Sequence, residues 1–115
     1  MNTALVVIPT KLITDWETFH DVFAGALGFP SFYGRNMNAW IDCMTSADDR
    51  NAQMVARAVS PGELLTLQLD DVSDFASRCP ELFKALLECT AFVNYRRVEV
   101  GEKPVLSLLM SGYFF

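Results

Sequence analysis

Three polar side chains recur at helical spacing in the middle of this chain: Asn38, Asp42 and Thr45, at i, i+4 and i+7. On a helix that spacing sets an amide, a carboxylate and a hydroxyl in one row. A single carboxylate flanked by neutral polar groups lacks the second titratable group that acid–base or nucleophilic catalysis pairs with it. What it can do is receive a cation or a cluster of hydrogen-bond donors. Arg35 sits one turn before Asn38 and puts a guanidinium at the start of the same helix. A polar row opposite an apolar face is also what an ordinary surface helix shows. A second acidic group, Asp70, Asp71 and Asp74, falls at a predicted strand end, where small α/β proteins often bind ligands. Three carboxylates there could hold Mg²⁺; the plainer reading is one helix cap with solvated neighbours.

Other chemistry has little to build on. The chain carries one histidine, His20. Its helix pattern places no nucleophile or carboxylate beside it, so it reads as a partly packed or solvated side chain and not as a catalyst. There is no GxSxG, HExxH, P-loop or GxGxxG pattern. Cys43, Cys79 and Cys89 form no CxxC, which suits reduced thiols in a cytoplasmic protein better than a disulfide frame or a zinc site. Cys43 reads as a small packing residue. No catalytic residue, metal or other cofactor is expected.

The elements that must position the row follow from hydrophobic periodicity. Opposite it, Met37, Trp40, Ile41 and Met44 recur at i, i+3, i+4 and i+7, giving a helix over residues 36–45 with one large apolar face. A turn precedes it: Phe29-Pro30-Ser31, then Phe32-Tyr33-Gly34. Upstream, residues 3–8 (TALVVI) form a β-branched apolar run bounded by Pro9, read as a strand buried on both faces of a parallel sheet. Thr14 with Glu17 is a capping box for a helix from 15 to about 27, with Trp16, Phe19, Phe23, Ala26 and Leu27 as its core face. Gly28 stands at the left-handed C′ position and Pro30 prevents continuation.

Downstream, residues 47–63 are polar and alanine-rich, with a helical segment suggested through Met54, Val55, Ala58 and Val59. Residues 64–69 (LLTLQL) give a second strand. Asp71 is placed to cap a helix over 72–78. Pro80 at N1 starts a longer helix with core positions Leu82, Phe83, Leu86, Leu87, Thr90 and Val93, ending between residues 95 and 98. Residues 105–110 (VLSLLM) give a third strand, and an aromatic tail, GYFF, follows over 112–115. Strands alternating with helices imply parallel pairing through right-handed crossovers.

The whole chain sets outer limits. Its 115 residues, 51% of them hydrophobic, suit one domain over 1–115 with a single core. A net charge of −5 argues against a nucleic-acid partner, which wants a basic stripe, and favours a basic one. No apolar run reaches the length of a membrane span, and the N-terminus lacks the basic region and cleavage site of a signal peptide.

The stretch 29–46 resembles the barstar family of intracellular ribonuclease inhibitors. The matching features are the Pro30–aromatic–Tyr33–Gly34 turn, Asn36, Ala39 and the run Asp42-Cys43-Met44-Thr45. Beyond these residues the resemblance continues as a matching order of strands and helices. It implies an α/β fold with a small three-stranded parallel sheet and about four helices, barstar-like. It implies also that Asp42 matches the family's central carboxylate, Thr45 its neighbouring hydroxyl and Phe32 an aromatic contact. An inhibitor of this kind offers a carboxylate where a ribonuclease would hold a phosphate. The chain departs from the pattern in places. Asn38 stands where the best-known member has an aspartate, and Arg35 replaces an acidic residue. The family's contact tryptophan matches Ile41, with Trp40 one position earlier. A second acidic patch on the last helix has no match in Asn94-Tyr95-Arg96-Arg97. Residues 47–63 read as an insertion near the binding edge.

These readings lead to an expected partner-binding set of Phe32, Tyr33, Arg35, Asn38, Ile41, Asp42 and Thr45. The expected partner is a basic ribonuclease or toxin, bound one to one by a monomeric bacterial immunity protein of a toxin–antitoxin pair, without nucleic acid or membrane. The alternatives are an immunity protein to a toxin that is not a ribonuclease, a small metal-dependent enzyme using Asp70, Asp71 and Asp74, and a module that self-associates through the GYFF tail.

Overall fold

The computed structural model describes residues 4–112. It contains three strands, β1 (Ala4–Val7), β2 (Leu65–Leu69) and β3 (Leu106–Met110), and four α-helices, α1 (Trp16–Leu27), α2 (Met37–Thr45), α3 (Val72–Arg78) and α4 (Pro80–Glu99). The strands pair in parallel in the order β1-β2-β3, with Val6 opposite Leu67 and Leu67 opposite Leu108. This is the expected three-stranded parallel α/β architecture. Thr3, at the start of the first predicted strand, and tail residues 113–115 lie outside the described residues.

Alternation along each strand decides what is inside. Val6, Leu65, Leu67, Leu69 and Leu106 point into a core shared with Phe19, Phe23, Trp40, Met44, Phe75, Leu86 and Val93 from the helices. The opposite face of the sheet is open: Leu5, Val7 and Leu109 are each about half exposed. Burial of β1 on both faces is therefore corrected. Successive crossovers of one hand, stepping in one direction from β1 to β3, place every helix on the same side of the sheet.

Helix boundaries show where local chemistry prevailed. The N-cap of α1 is Asp15, not Thr14, and its capping-box partner is Thr18, not Glu17. Thr18 N–H donates to Asp15 Oδ1 (2.8 Å), and Asp15 N–H donates to Thr18 Oγ1 (3.0 Å). The shift of one residue leaves Trp16 at the first turn, 39% exposed and outside the core face assigned to it. Gly28 does end α1 in the left-handed region (φ 71°).

Residues 47–63 form no α-helix. They contain one 3₁₀ turn, Arg50–Ala52, and otherwise run as irregular chain that buries Val55, Ala58 and Val59. Main-chain bonds tie this segment across the molecule. Ala56 N–H donates to Gly28 O (3.0 Å), and Arg57 N–H donates to Leu27 O (3.3 Å). These apolar residues serve as plugs at fixed points and not as one face of a helix.

Asp71 precedes α3 as expected, but it sits in the left-handed region (φ 53°) and makes no side-chain cap. The first free amide of α3 is met instead by the chain after β3, where Val72 N–H donates to Ser111 O (2.9 Å). Helix α4 runs on to Glu99, past the predicted end. Its buried line includes Leu82, Leu86, Thr90 and Val93 and continues to Arg97, whereas Phe83 and Leu87 are only partly buried.

Candidate partner-binding face

Helix α2 begins at an Asn36 cap, whose Oδ1 accepts from Ala39 N–H at 2.8 Å. Trp40, Cys43 and Met44 are buried, and the Trp40 ring meets Phe23 edge-on at 5.8 Å. Met37 and Ile41 are partly buried. The opposite row emerges as spacing requires: Asn38 and Asp42 are exposed and Thr45 is intermediate. The structure thus brings Asn38, Asp42 and Thr45 onto one side of one helix. The Thr45 hydroxyl already donates to Ile41 O within the helix (2.6 Å).

The preceding turn supplies the aromatic part of the set. Phe32 is 74% exposed. Tyr33 points the other way: its ring lies 4.7 Å from that of Phe29, and its hydroxyl is 2.6 Å from His20 Nδ1. His20 is thus buried and bonded, not solvated, and Trp16 stacks over its ring at 23°. Burial holds the His20 pKa below the ordinary imidazole value, helped by the nearby Arg35 charge. Burial pushes the Tyr33 phenol up, with Cys43 adding to the effect. Tyr33 is a half-buried strut of the turn.

Arg35 occupies the left-handed region (φ 55°) immediately before the Asn36 cap. Its guanidinium donates to Glu17 O (3.0 Å) and pairs with Asp21 (2.9 Å), so this positive charge is tied back onto α1. The other end of α2 is held from α4. Arg97 Nη1 donates to Thr45 O (2.8 Å) at the helix C-terminus, where a cation complements the dipole and meets an otherwise unpaired carbonyl. The same guanidinium pairs with Asp48 (2.7 Å) and donates through Nε to Lys103 O (2.7 Å). Helix α2 is therefore pinned at both ends, with Asn38 and Asp42 presented to solvent between them.

Two residues of this arrangement escaped the sequence reading. Arg97 continues the buried spacing of Thr90 and Val93, a signal present in the chain. Arg96 has no such signal. It reaches Asp42 only because α4 packs beside α2, and its Nη1 lies 3.2 Å from Asp42 Oδ1. Cys43, beneath the row, is buried, and burial raises its thiol pKa to about 11, with Asp42 contributing; it is a packing residue.

The second acidic group disperses into separate contacts. Asp70 accepts from Gln68 Nε2 (3.1 Å) and Ser111 Oγ (3.3 Å). Asp71 pairs with Lys11 (3.6 Å), and Asp74 pairs with Arg78 (2.8 Å). Among the described residues no group of three His, Cys, Asp or Glu side chains could hold a metal ion. Among those residues no helix is long and apolar enough to cross a membrane.

Fold and face together define a class: a small parallel α/β protein that presents one rigid helix edge. The family model described as Barstar (barnase inhibitor) matches residues 3–106, and the chain belongs to that family, whose members are inhibitors and not enzymes. No curated protein matches the chain.

Proposed function

We propose that this protein is a cytoplasmic barstar-like inhibitor, the immunity partner of a basic ribonuclease or related toxin, which it blocks in a one-to-one complex. The observation that carries this reading is Asp42, an exposed carboxylate midway along a helix pinned at both ends. A ribonuclease site built to hold a phosphodiester presents cations and donors, and a rigidly placed carboxylate can occupy it without catalytic help. Asn38 extends the row toward Arg35, and Phe32 offers an exposed aromatic surface before the helix. Tyr33 and Thr45 support the geometry of turn and helix. Ile41 fills the edge between the row and the core.

The test is a paired pull-down with wild-type and Asp42→Ala baits from lysate and secreted fractions of the producing cells, followed by a nuclease assay on what is captured. A basic protein should bind wild type and be lost from Asp42→Ala, with affinity reduced well over tenfold, more than about 1.4 kcal/mol. Its nuclease activity should appear only after dissociation. Equal capture by both baits would remove Asp42 from the interface. A partner without nuclease activity would keep the binding face and change the toxin class.

A further inference from the structure

Asp42 does not stand alone on its face. The contact with Arg96 joins two side chains that both remain open to water, Arg96 at 42% and Asp42 at 63% exposure. An exposed ion pair is weakly held, because water competes for both charges. It opens when a stronger cation approaches Asp42. Opening does not remove Arg96 from the face. The backbone beneath it is fixed on one side by buried Arg97 and on the other by Asn94, which bonds Val105 N–H (3.0 Å), Leu106 N–H (3.0 Å) and Leu106 O (2.9 Å). A cation arriving at Asp42 therefore meets a guanidinium displaced only by the length of its own side chain. Like charges brought together in an interface oppose association. Beside α2 the charges come in opposed pairs, Asp42 with Arg96 of α4 and Arg35 with Asp21 of α1, so these four cancel although the chain as a whole is acidic.

We propose that Arg96 is a specificity-determining residue. It guards Asp42 against partners that offer positive charge alone and admits one that also brings a carboxylate to receive the displaced guanidinium. This rests on the reading of α2 as the binding face.

Barnase, named in the family description, is the probe for a cation-rich site. Biosensor binding to immobilised barnase is compared for wild type, Arg96→Ala, Arg96→Glu, Asp42→Ala and the Asp42→Ala/Arg96→Ala pair. Circular dichroism melts check that each variant is folded. Arg96→Ala should bind at least tenfold tighter than wild type, about 1.4 kcal/mol, chiefly through faster association, and Arg96→Glu tighter still. In the Asp42→Ala background the gain should shrink to about threefold or less, because the two residues act as a coupled pair. A cognate partner captured by the wild-type bait should respond with the opposite sign and bind Arg96→Ala more weakly. Tighter cognate binding would overturn the carboxylate half of the proposal. Unchanged or weaker barnase binding by Arg96→Ala overturns the guard. Where that occurs while Asp42→Ala still weakens binding, only the guard fails. If wild type binds and Asp42→Ala binds equally well, the α2 reading itself fails. If none of the five proteins binds barnase, Arg96 is not what excludes the probe, the guard is overturned, and Asp42 is judged on its own pull-down.

Discussion

The contact between His20 and Tyr33 joins the turn before α2 to the interior of α1. Its partners are 2.6 Å apart and largely shielded from water. Tyr33→Phe would leave His20 Nδ1 without this partner in a buried setting. The expected cost is about 1–2 kcal/mol, the penalty for an orphaned polar group, measured by urea unfolding. The same site sets a pH dependence. The folded pKa of His20 is held below its unfolded value by burial, so the unfolded chain takes up a proton first as pH falls. Stability should be full above about pH 6.5 and decline as pH falls through the lower folded value. Unfolding curves for wild type and His20→Gln across that window check this; the variant should lose that part of the slope. The sequence placed Asn38 and Asp42 on the exposed side of a helix through their spacing alone. It placed His20 on a helix but could not show its burial, since its partner lies thirteen residues away across a turn.

Among elements, the junction of α1 with residues 47–63 is the tightest constraint on side-chain size. A Cβ added to Gly28 would meet Ala56 Cβ at 2.4 Å, in a backbone region (φ +71°) that already disfavours side chains. Gly28→Ala should therefore destabilise by at least about 2 kcal/mol, the left-handed penalty plus displacement of the loop. Gly28→Ala/Ala56→Gly should recover part of that loss in a double-mutant cycle. Full additivity of the two changes would mean that the loop simply moves aside. Gly28 was legible as a helix stop because glycine, followed shortly by proline, is a local signal. That the same glycine also admits a loop crossing was not, because no local pattern records which distant segment passes over a helix end. The helical segment suggested through Met54, Val55, Ala58 and Val59 does not form for a related reason. Its apolar residues are spaced by the positions of gaps in the core, and those positions follow no helical period.

At the scale of the molecule, two Arg–Asp pairs on adjacent residues of α4 differ in what surrounds them. Arg96 with Asp42 is exposed, and its loss should change stability by less than about 1 kcal/mol. Arg97 with Asp48 has side-chain exposures of only 5% and 13%. Its guanidinium also bonds the carbonyls of Thr45 and Lys103, so it joins the ends of α2 and α4 to the approach of β3. Asp48→Ala should leave a buried charge short of its counterion and cost about 3 kcal/mol or more. Denaturant unfolding of Asp48→Ala beside Asp42→Ala checks the contrast. Equal losses would show that burial does not separate the two pairs.

By itself the sequence determined the order of strands and helices, the parallel architecture, the apolar face of α2 and the row opposite it. These follow from periodicity, capping residues and breakers, which act over a few neighbouring residues. The family resemblance lay in one such stretch, 29–46, where turn, cap and row are contiguous. Tertiary structure alone decided that the outer sheet face stays open, that Asp42 is met by Arg96, and which distant groups Arg97 reaches at the end of α2. Each of these depends on which residues distant in the chain are brought within a few ångströms. Charges interact at that range without leaving a local pattern in the sequence.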